Sequence, residues 1–177
     1  MELVCHPAAP AKTPLVVRVG CTRASRDTLR LNYALEGTLS DIRIPEARAA
    51  GRADRLWQHT CFEAFLGVEG VASYVELNFA PSGAWAIYRF SGYRAGMVAV
   101  TPAQAPQIAA RQEQHRLTLE AVVTLDAVLA PAVDSPMRVA LAAVVEAGDG
   151  SLSYWALRHA PGQPDFHHPD GYAVQLP

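Results

Sequence analysis

From residue 15 onward, apolar side chains recur at every second position in one short run after another. A period of two belongs to the extended strand, whose successive side chains leave on opposite faces. The run "TLRLNYAL" (28–35) is the clearest, with Leu29, Leu31, Tyr33 and Leu35 on one face. "LVVRVGC" (15–21), "TLSDIRI" (38–44), "HTCFEAFL" (59–66), "SYVELNFA" (73–80) and "AWAIYRF" (84–90) read the same way, and "PSG" supplies a turn between the last two. "IAARQ" and "RLTLEAVVTL" (116–125) form a predicted hairpin, and "RVALAAVVEA" (138–147) and "SLSYWAL" (151–157) form another across "GDG". "YAVQL" (172–176) closes the chain. The polar segment 45–55 is expected to be a short helix or a loop, and Asp126 to cap one helical turn. No segment is a helix long enough to cross over a parallel sheet. About ten short strands separated by turns predict an all-β fold, an antiparallel two-sheet β-sandwich of jelly-roll or immunoglobulin-like kind. A closed barrel is the alternative. All 177 residues fit one domain.

Charge narrows the partners. A formal net charge of −2 provides no basic field for nucleic acid. Fourteen arginines against one lysine, Lys12, with abundant alanine, point to a GC-rich genome and to no function. Cys5, Cys21 and Cys61 lack CxxC spacing and are expected to be reduced thiols. The opening "MELVCHPAAPAKTP" lacks the pattern of an export signal, and no apolar run reaches the ~20 residues that span a bilayer. The expectation is a cytoplasmic protein that does not enter membranes, of undetermined oligomeric state.

The stretch "LWQHTCFEAFL" (56–66) raises the functional question, because it places a glutamate amid aromatics in a core-bound strand. Glu63 shares a face with His59, Cys61 and Phe65, and with Trp57 if the strand begins that early. In 73–80, Val75, Leu77 and Phe79 form an apolar row, which sends Tyr74, Glu76 and Asn78 to the other side. In 84–90 the rows are Trp85, Ile87 and Arg89 against Ala86, Tyr88 and Phe90. If sequential strands are neighbours, one face gathers Glu63, Glu76, Asn78 and Arg89, with Trp57 or Trp85 near. Such polar groups beside an indole suit a sugar, whose hydroxyls need fixed donors and acceptors and whose C–H faces pack on rings. The structural alternative is an ion pair of Glu63 with Arg89, with Trp57 closing the end of the core.

The block "LWQHTCFEAFLGVEGVASYVELNFAPSGAWAIYRFSGYRAGM" and the tail "SYWALRHAPGQPDFHHPDGYAVQL" resemble DOMON-like domains related to carbohydrate-binding module family 9. The resemblance implies a non-catalytic β-sandwich. In the sugar-binding members two tryptophans sandwich a terminal sugar, while Glu, Arg and Asn hold its hydroxyls. Trp57 and Glu63 match in order and spacing, Arg89 and Asn78 in type, and Trp155 lies in a matching tail strand. Trp85 and Tyr74 are further candidates. The implied partner is a small carbohydrate or similar polar ligand.

Other chemistries have weaker footing. Some DOMON-related domains bind haem through Met and His, types present here as Met97, Met137 and several histidines. His159, His167, His168 and Asp170 are metal-ligand types, but adjacent histidines in a strand point oppositely, and a turn that holds the imidazoles by hydrogen bonds is the simpler reading. No dense run of oxygen ligands marks calcium, so no cofactor is expected. There is no GxSxG, HExxH, Walker A or GxGxxG. Two glutamates, Glu63 and Glu76, are the sole hint of a glycosidase. The fallback is a structural or protein-interaction domain.

Overall fold

The alternating runs form strands because every second side chain finds the same apolar interior. In a computed structural model, which describes residues 1–125 and 135–177, thirteen strands make one sheet. They are β1 (Glu2–Cys5), β2 (Leu15–Ser25), β3 (Thr28–Gly37), β4 (Gly51–Arg52), β5 (Cys61–Val68), β6 (Tyr74–Phe79) and β7 (Ala84–Phe90). There follow β8 (Val98–Ala99), β9 (Gln107–Gln112), β10 (Arg116–Thr124), β11 (Met137–Glu146), β12 (Leu152–Ala156) and β13 (Val174–Leu176). The spatial order is β4-β7-β6-β5-β11-β12-β1-β2-β3-β10-β9, with β8 on β7 and β13 on β11.

The expected two-sheet antiparallel sandwich is therefore corrected to one curled, mixed sheet. The reason is β1. It pairs with β12 on one side (Val4 with Ala156) and with β2 on the other (Leu3 with Val17), so the hydrogen-bonded ladder runs unbroken between the two halves. The sheet is mixed because β4 runs parallel to β7. It is not a closed barrel either, because β4 and β9 end the order without meeting.

Curling turns one row of every long strand inward. Leu29, Leu31, Tyr33 and Leu35 of β3 do share a face, as their spacing predicts, and all four are buried. They join Leu119 from β10, Phe62 and Leu66 from β5, Leu77 from β6 and Ile87 from β7 in one core. The predicted pairings of β9 with β10 and of β11 with β12 are present. Segment 38–44 is not a strand: Leu39–Asp41 is a 3-10 turn, and Ile42 makes a single bridge to Ala147. In 45–55 the regular structure is β4 alone, with no helix. The predicted cap at Asp126 falls outside the described residues. At the "PSG" turn, Gly83 takes a φ of +89°, and a Cβ there would sit 3.3 Å from the Arg48 carbonyl oxygen, so glycine fits where other residues strain. Among the described residues, no helix is long and apolar enough to cross a membrane.

Candidate functional site

β5 and β6 are buried on both faces. Their inner rows enter the core. Their outer rows meet a second apolar layer, in which Phe65, Tyr74, Tyr88 and Phe90 are covered by Trp57, Phe166 and Tyr172 from turns. Between that layer and β12 lies a groove of about 590 Å³, lined by Trp57, Glu63, Glu76, Tyr154, Phe166 and His167, with Arg94 and Met97 also in its lining. A second hollow of about 620 Å³ lies over the outer face of β2, β3, β10 and β9. Of its charged groups, Arg18 pairs with Glu36 and Glu120 with Arg30, and both are reached by solvent. The smaller groove holds the buried chemistry.

Register sets that chemistry. Glu63 lies opposite Asn78 and Phe65 opposite Glu76 across the antiparallel β5–β6 pair, so the two glutamates are diagonal neighbours on one face. Asn78 Nδ2 donates to Glu76 Oε1 at 2.7 Å. Glu63 is 3 % exposed, and its Oε1 has no hydrogen-bond partner. Burial pushes the Glu63 carboxyl well above the usual carboxylate range, and the neighbouring charge of Glu76 pushes it further. Burial also raises Glu76, against the lowering effects of the Asn78 hydrogen bond and the Arg94 charge. This floor favours holding a proton.

The wall opposite comes from two turns. The backbone N–H of Arg94 donates to the Tyr74 hydroxyl at 3.2 Å, and that hydroxyl lies 2.7 Å from His167 Nδ1. The hydroxyl and Nδ1 share one hydrogen between them, and Nε2 lies 3.8 Å from Glu76 Oε2. Burial, then the Arg94 charge, lowers the His167 pKa to about 4, so the ring is neutral at pH 7. The Arg94 guanidinium is held by Asp165, through Nε at 3.2 Å and Nη2 at 2.7 Å.

An unpaired buried carboxylate costs stability, and that cost is measurable. Glu63→Gln keeps the shape and removes the charge. At pH 7.5 the ligand-free variant is expected to be about 1–3 kcal/mol more stable than the native protein, the usual penalty for an unsatisfied buried group. The sign follows from the raised pKa: the carboxyl's cost is absent below its unfolded value and grows as pH rises through its folded one. Urea unfolding at pH 7.5 and pH 4.5 measures it, and the gain should shrink at the lower pH. A destabilised variant at pH 7.5 would show that Glu63 holds structure.

The residues singled out in the sequence divide sharply. Trp57, Glu63, Asn78, Glu76 and Tyr74 come together on this face. Trp57 does so from a 3-10 turn at Leu56–Gln58 rather than from the strand, its ring edge-on to Tyr88 at 5.7 Å between centroids. Arg89 is a correction: it pairs opposite Val75 in the core-facing row, so it leaves the sheet away from Glu63 and ends exposed, with no ion pair between them. Trp85 and Trp155 are corrections too. Both are buried in the inner core, where the Trp155 indole N–H donates to Ser153 Oγ at 3.0 Å. Phe166 and Tyr154 are the aromatic members of the groove that strand rhythm did not pick out.

Met97 and His167 do line one groove. Nδ1 of that imidazole is bonded to the Tyr74 hydroxyl, and Nε2 faces Glu76 Oε2 at 3.8 Å. Among the described residues no group of three or more His, Cys, Asp or Glu is arranged to hold a metal ion.

No protein-family model matches the sequence, and no curated protein matches it. Solved structures do. A candidate carbohydrate-binding protein from Bacteroides uniformis is 18 % identical, with a TM-score of 0.67 over 97 % of this chain and 81 % of its own. A carbohydrate-binding module of family 9 from Caldicellulosiruptor kristjanssonii, in complex with glucose, is 12 % identical, with a TM-score of 0.51 over 91 % of this chain and 76 % of its own. A structure of such a module from the same organism with cellotriose gives 13 % identity and a TM-score of 0.53, over 91 % and 74 %. At these identities, what the chain shares with them is their fold.

Proposed function

We propose that the groove binds a small carbohydrate and catalyses nothing. The observation that carries this reading is the unpaired Glu63 Oε1, buried at the floor of a groove whose lining includes Trp57, Tyr154 and Phe166. A buried acceptor without a partner is completed by a ligand that donates. Rings beside it fit the C–H faces of a sugar, and a few convergent polar groups among aromatics are the common form of a small-ligand site. The fold shared with the family 9 module structures, one with glucose and one with cellotriose, supports the same class of ligand. Trp57 and Phe166 are the packing surfaces. Glu63 and Glu76 accept from hydroxyls, and Asn78 fixes Glu76. The reading uses no cofactor.

Tryptophan fluorescence tests it, with mono- and disaccharides titrated into the purified protein. Of the three tryptophans, Trp85 and Trp155 are in the core, so Trp57 is the one whose emission a bound sugar should move. One sugar class is expected to give a saturable change. Trp57→Ala should weaken its binding by about 30-fold or more, the scale of a central aromatic anchor. No response to any sugar by fluorescence or calorimetry would overturn the reading.

A further inference from the structure

The donors and acceptors of the groove do not balance, and the imbalance has a sign. The groups that face Glu63 can be counted from each element around it. β5 offers the Cys61 thiol, which points to Asn78 Oδ1 at 3.8 Å. β6 offers Glu76 and Asn78, bonded to each other. β11 presents Ala142, directly opposite Glu63, and Val144; further along the same row Arg138 lies over the Tyr172 ring and donates to the Val71 carbonyl, and Glu146 pairs with Arg43. β12 gives Tyr154, and the turn at Leu56–Gln58 gives Trp57 and Gln58. The 93–97 and 164–168 turns give Arg94, Asp165 and His167. The guanidinium is engaged by Asp165, and the imidazole is uncharged at neutral pH. Among the described residues, then, two buried carboxylates share a groove whose one permanent cation, Arg94, is already bonded to a third.

We propose that the sugar selected by this groove carries a protonated amine, the ammonium of a 2-amino-2-deoxyhexose seated against the carboxylates of Glu63 and Glu76. This rests on the carbohydrate reading above and adds the chemical class of the sugar. A hydroxyl brings one donor and two acceptor lone pairs, which adds acceptors to a place already rich in them. An ammonium brings three donors and no acceptor, and its charge is the one that an ionised Glu63 lacks. Its hydrogen bonds to carboxylates are charge-assisted and roughly twice as strong as neutral ones. Burial favours the protonated Glu63 in the empty groove. The arriving ammonium favours the ionised carboxylate, so any proton that Glu63 holds in the empty groove leaves on binding. An N-acetyl group at the same carbon abolishes both the charge and the release.

Isothermal titration at pH 6.5 tests this with glucose, glucosamine and N-acetylglucosamine, each in two buffers of different ionisation enthalpy, on the native protein and on Glu63→Gln. Glucosamine is expected to bind at least about tenfold more tightly than either neutral sugar, the low end of the coupling found for close charge pairs. Any proton release should accompany glucosamine alone. In Glu63→Gln the preference should fall and any release should vanish. Circular dichroism of the variant guards against misfolding, and the native protein's ratios and proton count stand without it. If a neutral sugar binds as tightly as glucosamine, the amine proposal fails while sugar binding stands. If none of the three binds but another saccharide does, the amine proposal fails alone. If no saccharide binds at all, both fall.

Discussion

Tyr33→Ala is expected to lower the unfolding free energy by about 3–5 kcal/mol, the usual loss when a large aromatic is cut from a packed core. Tyr33 stands on β3, across the interior from the candidate site. Its ring stacks on Phe62 with 4.9 Å between centroids, and its hydroxyl donates to the Glu63 backbone carbonyl at 2.7 Å. The residue thus fills the centre of the core and bonds the strand that carries the groove's key carboxylate. Tyr33→Phe separates the two roles. It keeps the ring and removes one buried hydrogen bond, so about 1–2 kcal/mol should be lost, including the cost of the carbonyl left bare. Urea unfolding of both variants checks the pair. Equal losses would mean that the hydroxyl, not the ring, carries the position. No loss in the alanine variant would mean that the core closes over the gap.

The second large effect is one of pH. The His167 pKa lies near 4 in the folded chain, against 6.5 for an ordinary imidazole. Between those values the unfolded chain binds the proton and the folded one does not. The contribution of His167 is therefore complete above pH 6.5 and is lost as pH falls toward 4. At about 1.36 kcal/mol per pH unit, the full loss is about 3 kcal/mol. Glu63 and Glu76 act in the opposite sense, since their raised pKa values make acid relieve them. The comparison must therefore isolate the imidazole. His167→Phe keeps a ring among its neighbours Phe65, Tyr74 and Phe90 but does not titrate. The native protein should lose about 3 kcal/mol relative to the variant between pH 6.5 and pH 4. A constant gap would show that the ring is open to solvent and protonates freely when folded.

How much of this could be read beforehand depended on periodicity. The row from Leu29 to Leu35 was legible because four alternating positions leave one consistent answer. The grouping of Glu63, Glu76 and Asn78 was legible too, since an apolar row on each strand fixed which way its polar neighbours point. Trp85 was decidable by the same rule: it sits two residues from Ile87, which pairs with Leu77, so it had to enter the core. Arg89 follows in that row and had to leave the sheet on the side away from Glu63. Trp155 was harder, because both rows of β12 contain aromatic residues and only pairing with Ala143 settles its side. Phe166 and His167 come from a turn without any period, so nothing local placed them over the strands. The sandwich was inferred because β1, four residues long, is too short to show a rhythm, yet it is the strand that makes the sheet continuous.

That short strand also governs when the molecule can be finished. Val4 pairs with Ala156, 152 positions later, so β1 cannot take both of its places until β12 has been synthesised. Contacts so distant along the chain form slowly, because the loop between them must be closed first. Until then β1, paired with β2 alone, and β11, paired with β5, each keep an unpaired edge, open to strands of other chains. A ribosome stalled before β12 would therefore hold a polypeptide with both of these edges bare, and that stage of synthesis exposes it to aggregation.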